Sequence, residues 1–105
     1  MVREISPLEL KGALGTQSPP LVLDVRESWE LALARLAGTL DIPMGSIAAH
    51  LAELPRDREI VVMCRSGGRS LKVAQYLQAQ GFRTANLSGG ILAWARDVDP
   101  ELPSY

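Results

Sequence analysis

The sequence holds one cysteine, Cys64, and it opens the stretch Cys64-Arg65-Ser66-Gly67-Gly68-Arg69-Ser70. A thiolate is a strong nucleophile, and a cysteine becomes reactive where its surroundings favour the thiolate over the thiol. Gly67 and Gly68 lift the steric barrier to positive φ, so the loop can curl with successive backbone N–H groups facing inward, a nest that attracts an anion. The residues from Ser70 onward read as a helix, whose free N–H groups and positive end add to that field; Arg65 and Arg69 push the same way. The competing reading is a small core hydrophobe at the end of an apolar strand. An inert cysteine needs neither paired glycines nor two flanking arginines, so the loop favours a reactive one, although either arginine alone is compatible with a plain surface loop.

Such a loop must hang between a strand and a helix. Glu59 to Met63 reads as a buried strand, and Ser70 to Gln80, with Leu71, Ala74, Tyr76 and Leu77 and closed by Gly81, as a helix. Upstream, Ser6-Pro7-Leu8-Glu9 marks a helix start with a capping Ser, a Pro in the first turn and a Glu three residues after the cap; the helix should stop near Gly15. Leu21 to Val25 is apolar on both faces, the pattern of an interior parallel strand. Ser28 to Ala34 reads as a short helix and Leu40 to Ile42 as a brief extended piece ending at Pro43. Ser46 to Leu54 reads as a helix capped by Ser46. Thr84 to Leu87 is a last strand, and Gly89-Gly90 a tight turn into a helix from Ile91 to about Val98. Strands alternating with helices predict an α/β fold, a parallel sheet covered on both faces, with residues 1–105 as a single domain.

Composition narrows the function classes. With 47% apolar and 22% charged residues the chain has the balance of a globular fold. A formal net charge of −1 without a basic run gives no reason to expect nucleic acid. The apolar runs are too short to span a membrane, and no secretory signal is evident. A single free thiol fits a reducing compartment, so the expected location is cytoplasmic.

Three motifs in order, Leu23-Asp24-Val25-Arg26-Glu27, Cys64 to Ser70, and Leu87-Ser88-Gly89-Gly90-Ile91 with Trp94, resemble those of single-domain rhodaneses, the thiosulfate sulfurtransferases. The resemblance implies a three-layer α/β/α fold with a central five-stranded parallel sheet and a cysteine that forms a persulfide. It also implies that the strand ending at Asp24 lies beside the one ending at Cys64, bringing Asp24, Arg26 and Glu27 to the same rim, with Asp24 and Arg26 as support. One departure stands out: rhodaneses often carry Gly-His-Ile-Pro-Gly-Ala where this chain has Ala34-Arg35-Leu36-Ala37-Gly38-Thr39. The only histidine, His50, falls on an expected exposed helix, so sulfur must be activated without a histidine base.

The expected reaction is attack by Cys64 on a thiosulfate-like anion, with the backbone from Arg65 to Ser70 cradling the persulfide. Arg65 and Arg69 bind the donor, and a thiol or cyanide, or a protein sulfur acceptor, takes the sulfur. No metal or organic cofactor is required. Two rivals remain at this level. A cysteine phosphatase or arsenate reductase would use a similar loop, but spaces its cysteine and arginine by five residues where Cys64 and Arg69 have four between them. A rhodanese-like interaction or sulfur-relay module would need the same persulfide without turnover of small molecules.

Overall fold

The computed structural model describes residues 1–105. Helix α1 (Pro7–Leu14) starts as its capping box dictates. The Ser6 hydroxyl accepts from the Glu9 N–H at 3.2 Å, while the Glu9 carboxylate accepts from the Ser6 N–H at 2.9 Å. Five strands, β1 (Arg3–Ile5), β2 (Leu21–Asp24), β3 (Leu40–Asp41), β4 (Ile60–Met63) and β5 (Thr84–Leu87), form one parallel sheet in the order β1-β5-β4-β2-β3. Helices α2 (Ser28–Leu33), α3 (Gly68–Ala79) and α4 (Gly90–Asp97) complete the fold with a 3₁₀ segment, Met44–Glu53.

Strand β4 shows how the layers are built. Ile60, Val62 and Cys64 point to one face, where they pack with Leu23, Val25, Ile47, Val73 and Leu77 under α3 and the 3₁₀ segment. Val61 and Met63 point to the other, against Leu10 of α1 and Ile91 of α4. All four β4 residues are fully buried, as a central strand covered on both sides requires. Each such side chain contributes about 1.5–3 kcal/mol of burial. The result is the expected α/β/α arrangement.

The differences from the sequence expectation are local. Strand β1 was not foreseen: three residues carry no readable period, and its register, Arg3 beside Ala85 and Ile5 beside Leu87, joins distant parts of the chain. The expected helix from Ser46 is a 3₁₀ segment entered from Pro43. Ser46 N–H closes onto Pro43 carbonyl at 2.8 Å, Met44 N–H is held by Val25, and the backbone breaks at His50. Helix α3 begins at Gly68, two residues before Ser70. Of the loop glycines only Gly67 takes positive φ, at 111°; Gly68 does not need it. No helix is long and apolar enough to cross a membrane.

Candidate active site

Strands β2 and β4 pair in parallel with Asp24 beside Met63, so both deliver their carboxyl ends to one edge of the sheet. Ligands of open parallel sheets bind there, where adjoining connections leave to opposite faces. Cys64 follows β4 directly, and the Gly67 turn brings the chain back so that donors converge on its sulfur. The N–H of Gly67 lies 3.1 Å from Sγ, the N–H of Ser70 3.4 Å and the Ser70 hydroxyl 3.3 Å. Sγ thus has partners on the side facing the loop, although the residue is only 1% exposed.

Two opposing effects set its acidity. Burial pushes the thiol up, but hydrogen bonds from the Ser70 hydroxyl and the N–H groups of Ser70, Gly67 and Ser66 outweigh it, leaving the pKa below the ordinary value. Ser70 has one hydroxyl proton and a competing acceptor, Asn86 Oδ1, at 2.6 Å. With Cys64 as a thiol the Ser70 hydroxyl can keep donating to Asn86 Oδ1; with Cys64 as a thiolate it can turn to donate to Sγ. Asn86 is itself held, its Nδ2 donating to the Gly67 carbonyl at 3.1 Å and to Glu4 of β1 at 3.1 Å. The loop is therefore braced from the sheet by a buried polar network, and no buried side-chain polar atom lacks a partner.

Helix α4 braces it from the other side. Ile91 N–H donates to the Cys64 carbonyl at 2.9 Å and Leu92 N–H to the Arg65 carbonyl at 3.1 Å. This contact explains Gly89-Gly90 better than a tight turn alone. Gly90 has φ 61°, and a Cβ there would fall within 2.5 Å of the Cys64 carbonyl oxygen, so only glycine lets the helix dock.

The charged rim is ordered in pairs. Asp24 and Arg26 are both fully buried, with Arg26 Nε at 3.0 Å from Oδ1 and Nη2 at 2.8 Å from Oδ2. Nη2 also donates to the Ala34 carbonyl at 2.8 Å and Nη1 to the Tyr105 hydroxyl at 2.8 Å. Burial works against the Arg26 charge, but Asp24 and Tyr105 more than restore it. Neither side chain touches the sulfur. Glu27 is exposed at the start of α2. Arg69 is not free over the loop: its two Nη atoms sit on the Glu30 carboxylate at 2.7 and 2.8 Å. That pair holds Glu30 at about 2, while the Arg69 guanidinium still feels the Cys64 thiolate. Arg65 is half-buried, its Nε donating to the main-chain oxygen of Tyr105 at 2.7 Å. Ser66 and Gly68 are exposed on the loop's outer edge.

Arg35, where the resemblance leads one to expect histidine, pairs with Asp41 at the surface, and His50 pairs with Glu53. No three His, Cys, Asp or Glu side chains come together as a metal-ligand set. Glu30, Asn86 and Tyr105 are the site residues that sequence reasoning missed. Asn86 carried a signal, as the one amide in a strand otherwise flanked by buried apolar residues. Glu30 carried a weaker one, three residues beyond the cap of a short helix.

The arrangement is a buried, acidified thiol in a ring of N–H donors, with cations beyond, suited to nucleophilic substitution on an anion. The rhodanese-like domain family model matches residues 6–97. A sulfurtransferase of Allochromatium vinosum is 41% identical over 97 residues, covering 91% of each chain. The Bacillus subtilis protein YtwF is 38% identical over 100 residues, covering 95% of this chain and 97% of that one. A crystal structure of a rhodanese-like domain protein from Staphylococcus aureus superimposes with a TM-score of 0.86 at 32% identity, covering 99% of each chain.

Proposed function

This chain belongs to the rhodanese-like domain family, and from that premise we propose that it is a sulfurtransferase whose Cys64 carries the sulfur as a persulfide. The observation that carries this reading is the convergence on Sγ of the Gly67 N–H, the Ser70 N–H and the Ser70 hydroxyl. These donors favour the thiolate before reaction and can hold the terminal sulfur anion after it, so the site is organised for charge at the moment charge forms.

With thiosulfate as donor, the Cys64 thiolate attacks the outer sulfur. The bond to the sulfonate sulfur breaks, and sulfite leaves with the bonding electrons. Cyanide or a thiol then attacks the outer sulfur of the persulfide and restores the thiolate. The N–H groups of Ser66, Gly67 and Ser70 and the Ser70 hydroxyl supply the cradle, and Gly68 only opens the helix behind them. Arg69, neutralised in part by Glu30, acts as a fixed cation near the sulfur, and Arg65 is the guanidinium able to exchange its partner for a sulfonate oxygen. Asp24 and Arg26 keep the neighbouring wall in place. The lone free thiol fits work in the cytoplasm. A protein thiol is a second candidate acceptor, favoured by Trp29, which is 62% exposed on α2 and packs edge-on against Tyr105 beside the site.

The test is a turnover assay with thiosulfate and cyanide. Thiocyanate should accumulate with the unmodified chain and not with Cys64→Ser. Thiocyanate formed equally by both proteins would sink the proposal. Efficient sulfur loading with negligible turnover to cyanide, but rapid transfer to a thiol, would point to the protein-thiol acceptor.

A further inference from the structure

Strand β1 lies beside β5 with Glu4 paired to Asn86, and this register puts a carboxylate behind the amide that borders the active loop. Asn86 is 2% exposed and Ser70 is fully buried. The Asn86 Nδ2 faces acceptors only: the Gly67 carbonyl at 3.1 Å and the two Glu4 carboxylate oxygens at 3.1 and 3.3 Å. The amide therefore has one orientation, with Oδ1 turned to the Ser70 hydroxyl at 2.6 Å.

That hydroxyl has one proton and three acceptors in reach. Asn86 Oδ1 is the nearest, with the Gly67 carbonyl at 3.2 Å and Cys64 Sγ at 3.3 Å. A thiol sulfur is a weak acceptor, so Asn86 holds the hydroxyl while Cys64 is protonated, and the Ser70 oxygen is left to accept from the S–H. A thiolate is a charged acceptor and draws the hydroxyl to itself, but only by breaking the 2.6 Å bond. The Glu4 carboxylate on Nδ2 polarises the amide and strengthens its hold. The other charges around Cys64 lie outside this chain of bonds. Arg69 of α3 is on Glu30 of α2, Arg26 is on Asp24 at the end of β2, and Arg65 is on the main-chain oxygen of Tyr105. Helix α4 meets the loop through backbone N–H groups.

We infer that Asn86 is a positioning residue: with Glu4 behind it, it withholds the Ser70 hydroxyl from the Cys64 thiol and yields it to the thiolate, and so sets how far into the acid range the nucleophile survives. The inference rests on the sulfurtransferase reading of Cys64 for the reaction that this nucleophile serves. No proton passes along the chain of bonds. Ser70 keeps its own and only the direction of its hydrogen bond changes, while the thiol proton goes to water.

The test follows Cys64 by intact mass against pH in two reactions, alkylation by iodoacetamide and sulfur loading by thiosulfate. Asn86→Leu frees the hydroxyl for sulfur. The midpoint of both profiles should fall by about 0.7 pH unit, with reaction about fivefold faster on the acid limb, the scale of one neutral hydrogen bond. Were Asn86 only a brace for the Gly67 carbonyl, its loss would disperse the donors and move the midpoint up. A midpoint that rises or stays overturns the inference. In a Ser70→Ala background the same substitution should move nothing, because no hydroxyl remains to be directed; a shift of the same size there overturns the inference too. Should Asn86→Leu not fold, Glu4→Gln alters an exposed side chain and leaves the Asn86 brace in place. It should lower the midpoint roughly half as far, and only when Ser70 is present. No shift, or one that survives Ser70→Ala as the charge of Glu4 acting through space, overturns the inference. If the unmodified chain is alkylated but takes no sulfur from thiosulfate, the sulfurtransferase reading fails, and the alkylation midpoints still decide the role of Asn86. If it is loaded and the variants leave the midpoints alone, that reading stands and only this inference falls.

Discussion

Residues 64–70 and residues 98–105 both border the site, and they are held there by different means. The loop is gripped by backbone. Two N–H groups of α4 take the Cys64 and Arg65 carbonyls, Gly67 sits in a left-handed turn, and Asn86 bonds the Gly67 carbonyl from β5. The later segment is fixed by backbone only near its start. The N–H groups of Val98 and Asp99 return to Trp94, and Leu102 to Asp99. Beyond that, its polar anchors are the contacts of Tyr105. A loop that must present donors to a developing charge gains from rigidity, because none of the reaction's energy then goes into arranging them. With fewer backbone anchors, residues 98–105 are the easier of the two to displace.

The contrast can be broken most severely at the grip of α4. Gly90→Ala combines left-handed strain with an overlap on the Cys64 carbonyl, and should cost about 3 kcal/mol or more in urea unfolding, with loss of sulfur loading. Gly68→Ala is its control, since an added Cβ there meets nothing within 4 Å and the residue opens α3. Its stability should change by about 0.5 kcal/mol or less. Equal losses from the two substitutions would show that the loop is not held by the α4 contact.

The ion pair beneath Tyr105 should give the next effect. Glu30 is held at about 2 against an ordinary 4.5, mainly by Arg69, so ionised Glu30 stabilises the fold. That stability is fully present above pH 4.5 and is lost as the pH falls from there towards 2. Glu30→Gln should remove about 2 kcal/mol at neutral pH, allowing for solvent around Arg69. It should also flatten the fall in urea midpoint below pH 4.5. An unchanged acid limb would contradict the pairing.

Ser70→Ala should cost the fold less than Glu30→Gln, about 1 kcal/mol, because Asn86 loses a partner. It acts on chemistry instead. With its hydroxyl gone, the Cys64 thiol rises towards its ordinary 9.0, the thiolate fraction at pH 7 falls, and loading slows several-fold. The midpoint of the loading-rate profile against pH should move up while the plateau at high pH changes little. A lowered plateau with an unmoved midpoint would assign Ser70 to shaping the loop alone.

The same contrast decides what the sequence could show. The loop was legible because its causes are local: a glycine needing positive φ, a strand before and a helix after. The α1 capping box was legible for the same reason. Strand β1 was not, since its three residues are defined by pairing with β5 some eighty positions away. Nor was the fate of the arginines. Both read as donor ligands, but Arg69 meets Glu30 at a separation of 39 residues and Arg65 meets Tyr105 at 40. Such partners are chosen by the strand order, which brings α2 and the segment after α4 to one edge, and no local pattern records that choice. Gly68 errs the other way: it looked like half of a strained pair and is an ordinary first residue of a helix.

The central claim is that Cys64 accepts a sulfur atom, and intact mass after exposure to thiosulfate tests it most directly. The unmodified chain should gain one sulfur, lose it on addition of cyanide, and release thiocyanate in equal amount, while Cys64→Ser gains none. No adduct on the unmodified chain, or an adduct that Cys64→Ser acquires as well, would contradict the account.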